Sequence, residues 1–88
     1  MKQIKLSGRE AAVLRAMGYT DEKTGEEIRE ITHIAGEELA DILNGLCEAG
    51  FVEVVPYADH VTFLSYAASR FEMNPSYVLE LKIALRRS

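Results

Sequence analysis

The stretch from Glu26 to Val54 reads EEIREITHIAGEELADILNGLCEAGFVEV. Within it Leu39, Ile42, Leu43, Leu46 and Cys47 fall at i, i+3, i+4, i+7 and i+8, which is one face of an α-helix. The spacing predicts a helix over about 36–48, with Gly50 placed to take the left-handed conformation that ends it. Just upstream, Ile28 and Ile31 are three apart and Thr24-Gly25-Glu26-Glu27 has the T-x-x-E form of a capping box. A short helix over about 25–32 follows from these. His33-Ile34-Ala35-Gly36 leaves room only for a tight turn between the two. Phe51-Val52-Glu53-Val54-Val55 is rich in β-formers, leaves directly from Gly50, and ends at Pro56, so it reads as a strand.

Outward from this core, Ser7-Gly8-Arg9-Glu10 is a second capping box, S-x-x-E. It opens a helix over about 8–17 with Ala12, Val13, Ala16 and Met17 on its apolar side, closed by Gly18. Near the other end, Asn74-Pro75 places an N-cap residue before a proline at the first helical position. The helix it starts runs over about 75–86, with Val78, Leu81 and Leu85 as one stripe and Leu79 and Ile83 widening it. Between these anchors three readings of 57–73 stay open. His60-Val61-Thr62-Phe63-Leu64 can return as the second strand of a hairpin, the simplest reading. Asp59 can instead cap a helix over 60–68, or Arg70-Phe71-Glu72-Met73 can be the returning strand.

At 88 residues the chain is expected to form one domain over 1–88. Hydrophobic residues at 48% and charged residues at 27% are ordinary globular values, which argues against disorder. A chain this short buries a smaller share of its surface than a larger one, so dimerisation is an expected source of stability. No apolar run is long enough to span a bilayer, and the N-terminal residues lead into no apolar signal core. Cys47 is the single cysteine, which suits a reducing compartment. A cytoplasmic protein without a membrane partner is expected.

The order helix, short helix, tight turn, longer helix, glycine, strand resembles the core of the winged helix-turn-helix superfamily, including bacterial regulators of the MarR and ArsR kind. The matching residues are Ile28, Ile31, Leu39, Ile42, Leu43 and Leu46, followed by Glu48-Ala49-Gly50-Phe51-Val52-Glu53. The resemblance implies an α+β, mainly α fold: a three-helix core with a β-hairpin wing, here with an added C-terminal helix. It also implies a DNA-binding transcription regulator whose third helix enters the major groove.

The charges depart from that implication. The net charge is −4, and residues 21–53 carry ten acids against Lys23 and Arg29. The outward positions of the third helix are Glu37, Glu38, Asp41, Asn44, Gly45 and Glu48, without a Lys or Arg among them. Such a face meets phosphate repulsion in a groove, where a binding helix gains by releasing counterions. The face of Glu37, Glu38, Asp41, Asn44 and Glu48 is therefore read as a surface for a protein partner, or as a solubilising one. Val78, Leu79 and Ile83 on the last helix are read as a homodimer surface, with Leu79 and Ile83 the exposed pair in a monomer. The DNA-binding alternative would use the cations near the two ends: Lys2, Lys5, Arg9, Arg15, Arg86 and Arg87. Chemistry is not expected. There is no G-x-S-x-G or phosphate loop, and the adjacent pairs Glu26-Glu27 and Glu37-Glu38 point about 100° apart on a helix. His33, His60 and Cys47 lack metal-ligand spacing, so no metal, cofactor or catalytic residue is assigned. A non-catalytic winged-helix module acting through protein contact or dimerisation is the resulting expectation.

Overall fold

The computed structural model describes residues 4–19, 21–55 and 61–87. Four α-helices and a three-stranded antiparallel sheet follow the order α1 (Gly8–Met17), β1 (Lys23–Thr24), α2 (Gly25–Thr32), α3 (Gly36–Glu48), β2 (Val52–Val55), β3 (Arg70–Met73), a 3₁₀ turn (Pro75–Tyr77) and α4 (Val78–Arg87). The fold is α+β and mainly helical. Among the described residues, no helix is long and apolar enough to cross a membrane.

Both capping boxes form. Ser7 Oγ accepts from the Glu10 amide while the Ser7 amide donates to Glu10, and Thr24 and Glu27 do the same for α2. The Thr24 amide bonded to Glu27 holds that carboxyl below its ordinary range. α3 ends as its glycine predicts. Gly50 sits at φ +86°, its amide donates to the Cys47 carbonyl, and the Phe51 amide donates to the Leu46 carbonyl. That double bond is a Schellman exit, and it aims the chain into β2. His33 ends α2 in the left-handed region at φ 60°, which turns the chain in three residues from α2 to α3.

The inward face of α1 is Ala11, Val13, Leu14 and Met17, so Leu14 enters the core and Ala12 and Ala16 stay half-buried, unlike the expected stripe. These side chains pack with Ile28, Leu39, Leu43, Leu46, Val52, Phe71, Leu81 and Leu85 in one contiguous core.

The returning strand is β3 at 70–73, not the 60–64 segment that reads most simply as a strand. Phe71 and Met73 face inward while Arg70 is exposed and Glu72 half-buried, the period-2 alternation a sheet over a core requires. Residues 61–64 lack that alternation, since Thr62, Phe63 and Leu64 are all exposed; His60 lies outside the described residues. Thr62 and Ser65 exchange hydrogen bonds there instead, closing a turn. β3 is the central strand. It pairs Val54 and Val52 of β2 with Phe71 and Met73, and Lys23 and Thr24 of β1 with Phe71 and Arg70. β1, two residues long, carries no periodic signal and was not expected. The last helix begins with a 3₁₀ turn, in which the Asn74 side chain accepts from the Ser76 amide.

Residues 61–69 do not project from the sheet. Val61 and Tyr66 are buried, and the carbonyls of Ser69 and Ala67 accept from the Gly25 and Glu26 amides at the start of α2. The orphan amides of that helix end are thereby used by the chain itself. Gly25 permits this approach: a Cβ there would lie 2.1 Å from the Tyr66 carbonyl oxygen. Gly25→Ala is expected to destabilise the protein by about 1–3 kcal/mol. Gly8→Ala, at a helical position with open space around it, should be neutral or stabilise by up to about 1 kcal/mol. Urea unfolding followed by circular dichroism separates the two.

Candidate functional site

The outward side of α3 resolves into two parts. Glu37, Asp41, Asn44 and Glu48 are spaced by four, three and four residues and so form one stripe along the helix. Glu37, Asp41 and Glu48 are exposed. Asn44 is not an open contact residue, as the sequence had placed it. Its Nδ2 donates to the Val61 carbonyl at 2.7 Å and its Oδ1 accepts from the Val61 amide at 2.7 Å. Glu38 also leaves the expected face. It lies half-buried toward α1, where Arg9 reaches it at 2.8 Å.

The Asn44 clamp brings a second component to the stripe. Beyond Val61, Phe63 and Leu64 stand out from the Thr62–Ser65 turn, 55% and 90% exposed. Tyr66 is buried below them, its ring stacked with Phe63 at a centroid distance of 6.4 Å. The turn reaches the start of α3, because a Cβ on Gly36 would lie 2.8 Å from both the Phe63 ring and the Tyr66 hydroxyl. An apolar lip therefore runs beside the acid stripe. Neither Phe63 nor Leu64 is singled out by the sequence, where both fall in a segment that reads as a strand over 60–64 or a helix over 60–68. The available signal was Asn44, a poor helix former in mid-helix, which points to a side chain committed to a specific bond.

Of the cations expected to contact DNA, Arg15 and Arg86 share one groove, whereas Arg9 is paired with an acid of α3. Lys2 lies outside the described residues. Lys5 is exposed near the start of α1, and Arg9 is paired with Glu38. Arg15 donates to the Leu85 carbonyl at 2.7 Å, at the carbonyl-bearing end of α4. Arg15, Tyr19, Lys82, Leu85 and Arg86 line an open groove of about 410 Å³. Lys82 Nζ sits 5.0 Å from the centre of the Tyr19 ring, a cation–π contact. Arg87 is exposed beyond the groove. Lys82 belongs with the C-terminal cations already visible in the sequence, whereas Tyr19 carries no such expectation.

On α4 the expected dimer residues separate. Val78 packs against the core and Ile83 is half-buried, whereas Leu79 is 68% exposed. The monomer's exposed pair is thus reduced to Leu79, flanked by exposed Lys82 and Arg86.

Cys47 is half-buried on the inner flank of α3, and burial pushes its thiol up to about 11. A thiol so protonated is a poor nucleophile at neutral pH. Among the described residues no three His, Cys, Asp or Glu side chains are grouped to hold a metal ion; His60 lies outside them.

No family model, curated protein or solved structure matches the chain. The functional reading therefore rests on the geometry above.

Asn44→Ala leaves the Val61 amide and carbonyl without partners and is expected to cost about 1–3 kcal/mol. Asn44→Asp keeps an acceptor for the amide but loses the donor to the carbonyl, so it should also destabilise. Urea midpoints of the two variants against the parent check this, and equal midpoints for all three would contradict the clamp.

Proposed function

We propose that this chain is a non-catalytic winged-helix module of the transcription-regulator type that acts through protein contact, in the cytoplasm, without reading DNA through α3. The winged-helix part is supported by the element order: two helices joined by a three-residue turn, a glycine exit from the second, and an antiparallel pair of strands after it. The wing tip itself would fall in residues 56–60, outside the described residues.

The observation that carries the functional part is the state of the outward side of α3. It offers Glu37, Asp41 and Glu48 to solvent and no cation, and its one neutral hydrogen-bonding side chain, Asn44, is spent on Val61. Base reading needs side chains that donate to or accept from base edges amid favourable phosphate contacts. This face would instead bring three carboxylates toward a polyanion. The 61–66 turn also lies along α3 and adds bulk where a groove wall would have to pass. For protein recognition the same features are assets: an apolar lip beside a charged stripe resembles the anchor and polar rim of an interface.

A second reading keeps DNA as the ligand and moves the contact to Arg15, Lys82, Arg86 and Arg87. The clustering of the first three around one groove favours it. The two readings separate in a salt series with a random-sequence duplex, followed by fluorescence anisotropy. The protein-contact reading expects no binding even at low salt. Micromolar binding that falls steeply with salt indicates phosphate contacts and would overturn it in favour of the second.

A further inference from the structure

The exposed side of α4 complements the face just described. Leu79, Lys82, Ile83 and Arg86 fall at i, i+3, i+4 and i+7, a single stripe on a helix. Leu79 is 68% exposed, and Lys82 and Arg86 are exposed. The inward residues of the same helix are Leu81, Ala84 and Leu85, so the stripe takes no part in the chain's own core. It is apolar and cationic. The α3 side is apolar and anionic, with Phe63 and Leu64 beside Glu37, Asp41 and Glu48. At 1.5 Å per residue the α4 stripe is about 10 Å long and the acid stripe about 16 Å, so the first fits along the second.

We infer that the partner of the α3 face is a second copy of this chain, whose α4 lies along the acid stripe with Leu79 against Phe63 and Leu64. This rests on the protein-contact reading above and names its partner. Three observations support it together. The acid stripe has exposed carboxylates and no cation of its own helix to balance them. The groove beside Lys82 and Arg86 is open and lined by Arg15 as well, a setting that receives a carboxylate. Each side also leaves a large apolar side chain in water beside its charges: Leu64 is 90% exposed on one and Leu79 68% on the other. The patches are unlike each other, so a two-fold dimer makes the contact twice. Charge steers the two copies together and the apolar residues hold them.

The test is the mass of the full chain by analytical ultracentrifugation, over micromolar to millimolar concentration, at low and high salt. At low salt the weight-average mass should climb toward twice 9.8 kDa. High salt should weaken association by about tenfold or more, because exposed charges are screened beyond a few Å at about 1 M. Glu37→Lys with Asp41→Lys is one variant and Lys82→Glu with Arg86→Glu the other. All four positions are on exposed helix surface, and circular dichroism confirms folding. Each variant alone should associate at least about tenfold more weakly than the parent, and their equimolar mixture should regain association, because both contacts are then between opposite charges.

A parent protein that stays monomeric throughout overturns the inference. So does a mixture no more associated than its components. A synthetic amphipathic peptide of alternating Leu and Lys pairs tells this failure from a failure of the wider reading. If the monomeric parent binds it and the Glu37→Lys, Asp41→Lys variant does not, protein contact stands with another partner. If neither binds it, the α3 face is not a docking surface.

Discussion

The amide side chain of Asn44 takes both backbone groups of Val61, and the outer surface of the protein is organised around that pair of bonds. Val61 starts a segment that could not otherwise lie along two helices without leaving polar backbone groups unmet. The segment's other attachments are of the same kind. Its Ala67 and Ser69 carbonyls accept from the first amides of α2, and its Tyr66 enters the core over Gly25 and Gly36. With both ends of 61–69 held by hydrogen bonds, the Thr62–Ser65 turn is fixed in place with Phe63 and Leu64 outward. Two large apolar side chains held in water by a braced turn are a cost to the isolated chain. An interface of the kind proposed would recover it.

Electrostatics acts at a second level. The helix starts gather acids because carboxylates suit the amino ends of helices and complete the capping boxes, as Glu10 and Glu27 do. Glu37 shares that explanation in the first turn of α3, but Asp41 and Glu48 lie beyond it. With Glu37 they form a stripe of exposed charge, while Arg9, Arg15, Lys82, Arg86 and Arg87 lie on α1 and α4. This division gives one small chain two unlike faces. Under the proposed winged-helix reading, the helix that would enter a groove carries the wrong charge for it.

Much of the fold could be read from residue pattern because it rests on local rules. Ser7 with Glu10, Thr24 with Glu27, Asn74 with Pro75 and the Gly50 exit each announce a helix end through bonds made within a few residues. The 3.6-residue repeat of Leu39, Leu43 and Leu46 likewise marks the buried side of α3. What was not legible depends on distant partners. β1 is a strand only because β3 lies beside it. His60-Val61-Thr62-Phe63-Leu64 has strand-forming residues, but Val61 is claimed by Asn44 from seventeen positions away and Thr62, Phe63 and Leu64 enter a turn. The surfaces followed the same division. The acidity of α3 was plain from composition, whereas the removal of Asn44 and Glu38 from that face, and the arrival of Phe63 and Leu64, required knowledge of which segment packs on which.

The most direct measurement is native-state hydrogen exchange at three backbone amides: Val61, which donates to Asn44, and Gly25 and Glu26, which donate to Ser69 and Ala67. If residues 61–69 form one fixed part of the α3 surface, these amides should be protected and should open with the same free energy, as one cooperative unit. Exchange of Val61 at the rate of an unfolded chain, with the amides of α2 and α3 still protected, would contradict the account. The turn would then be detached from α3, and the surface that carries Phe63 and Leu64 would not exist as a fixed face.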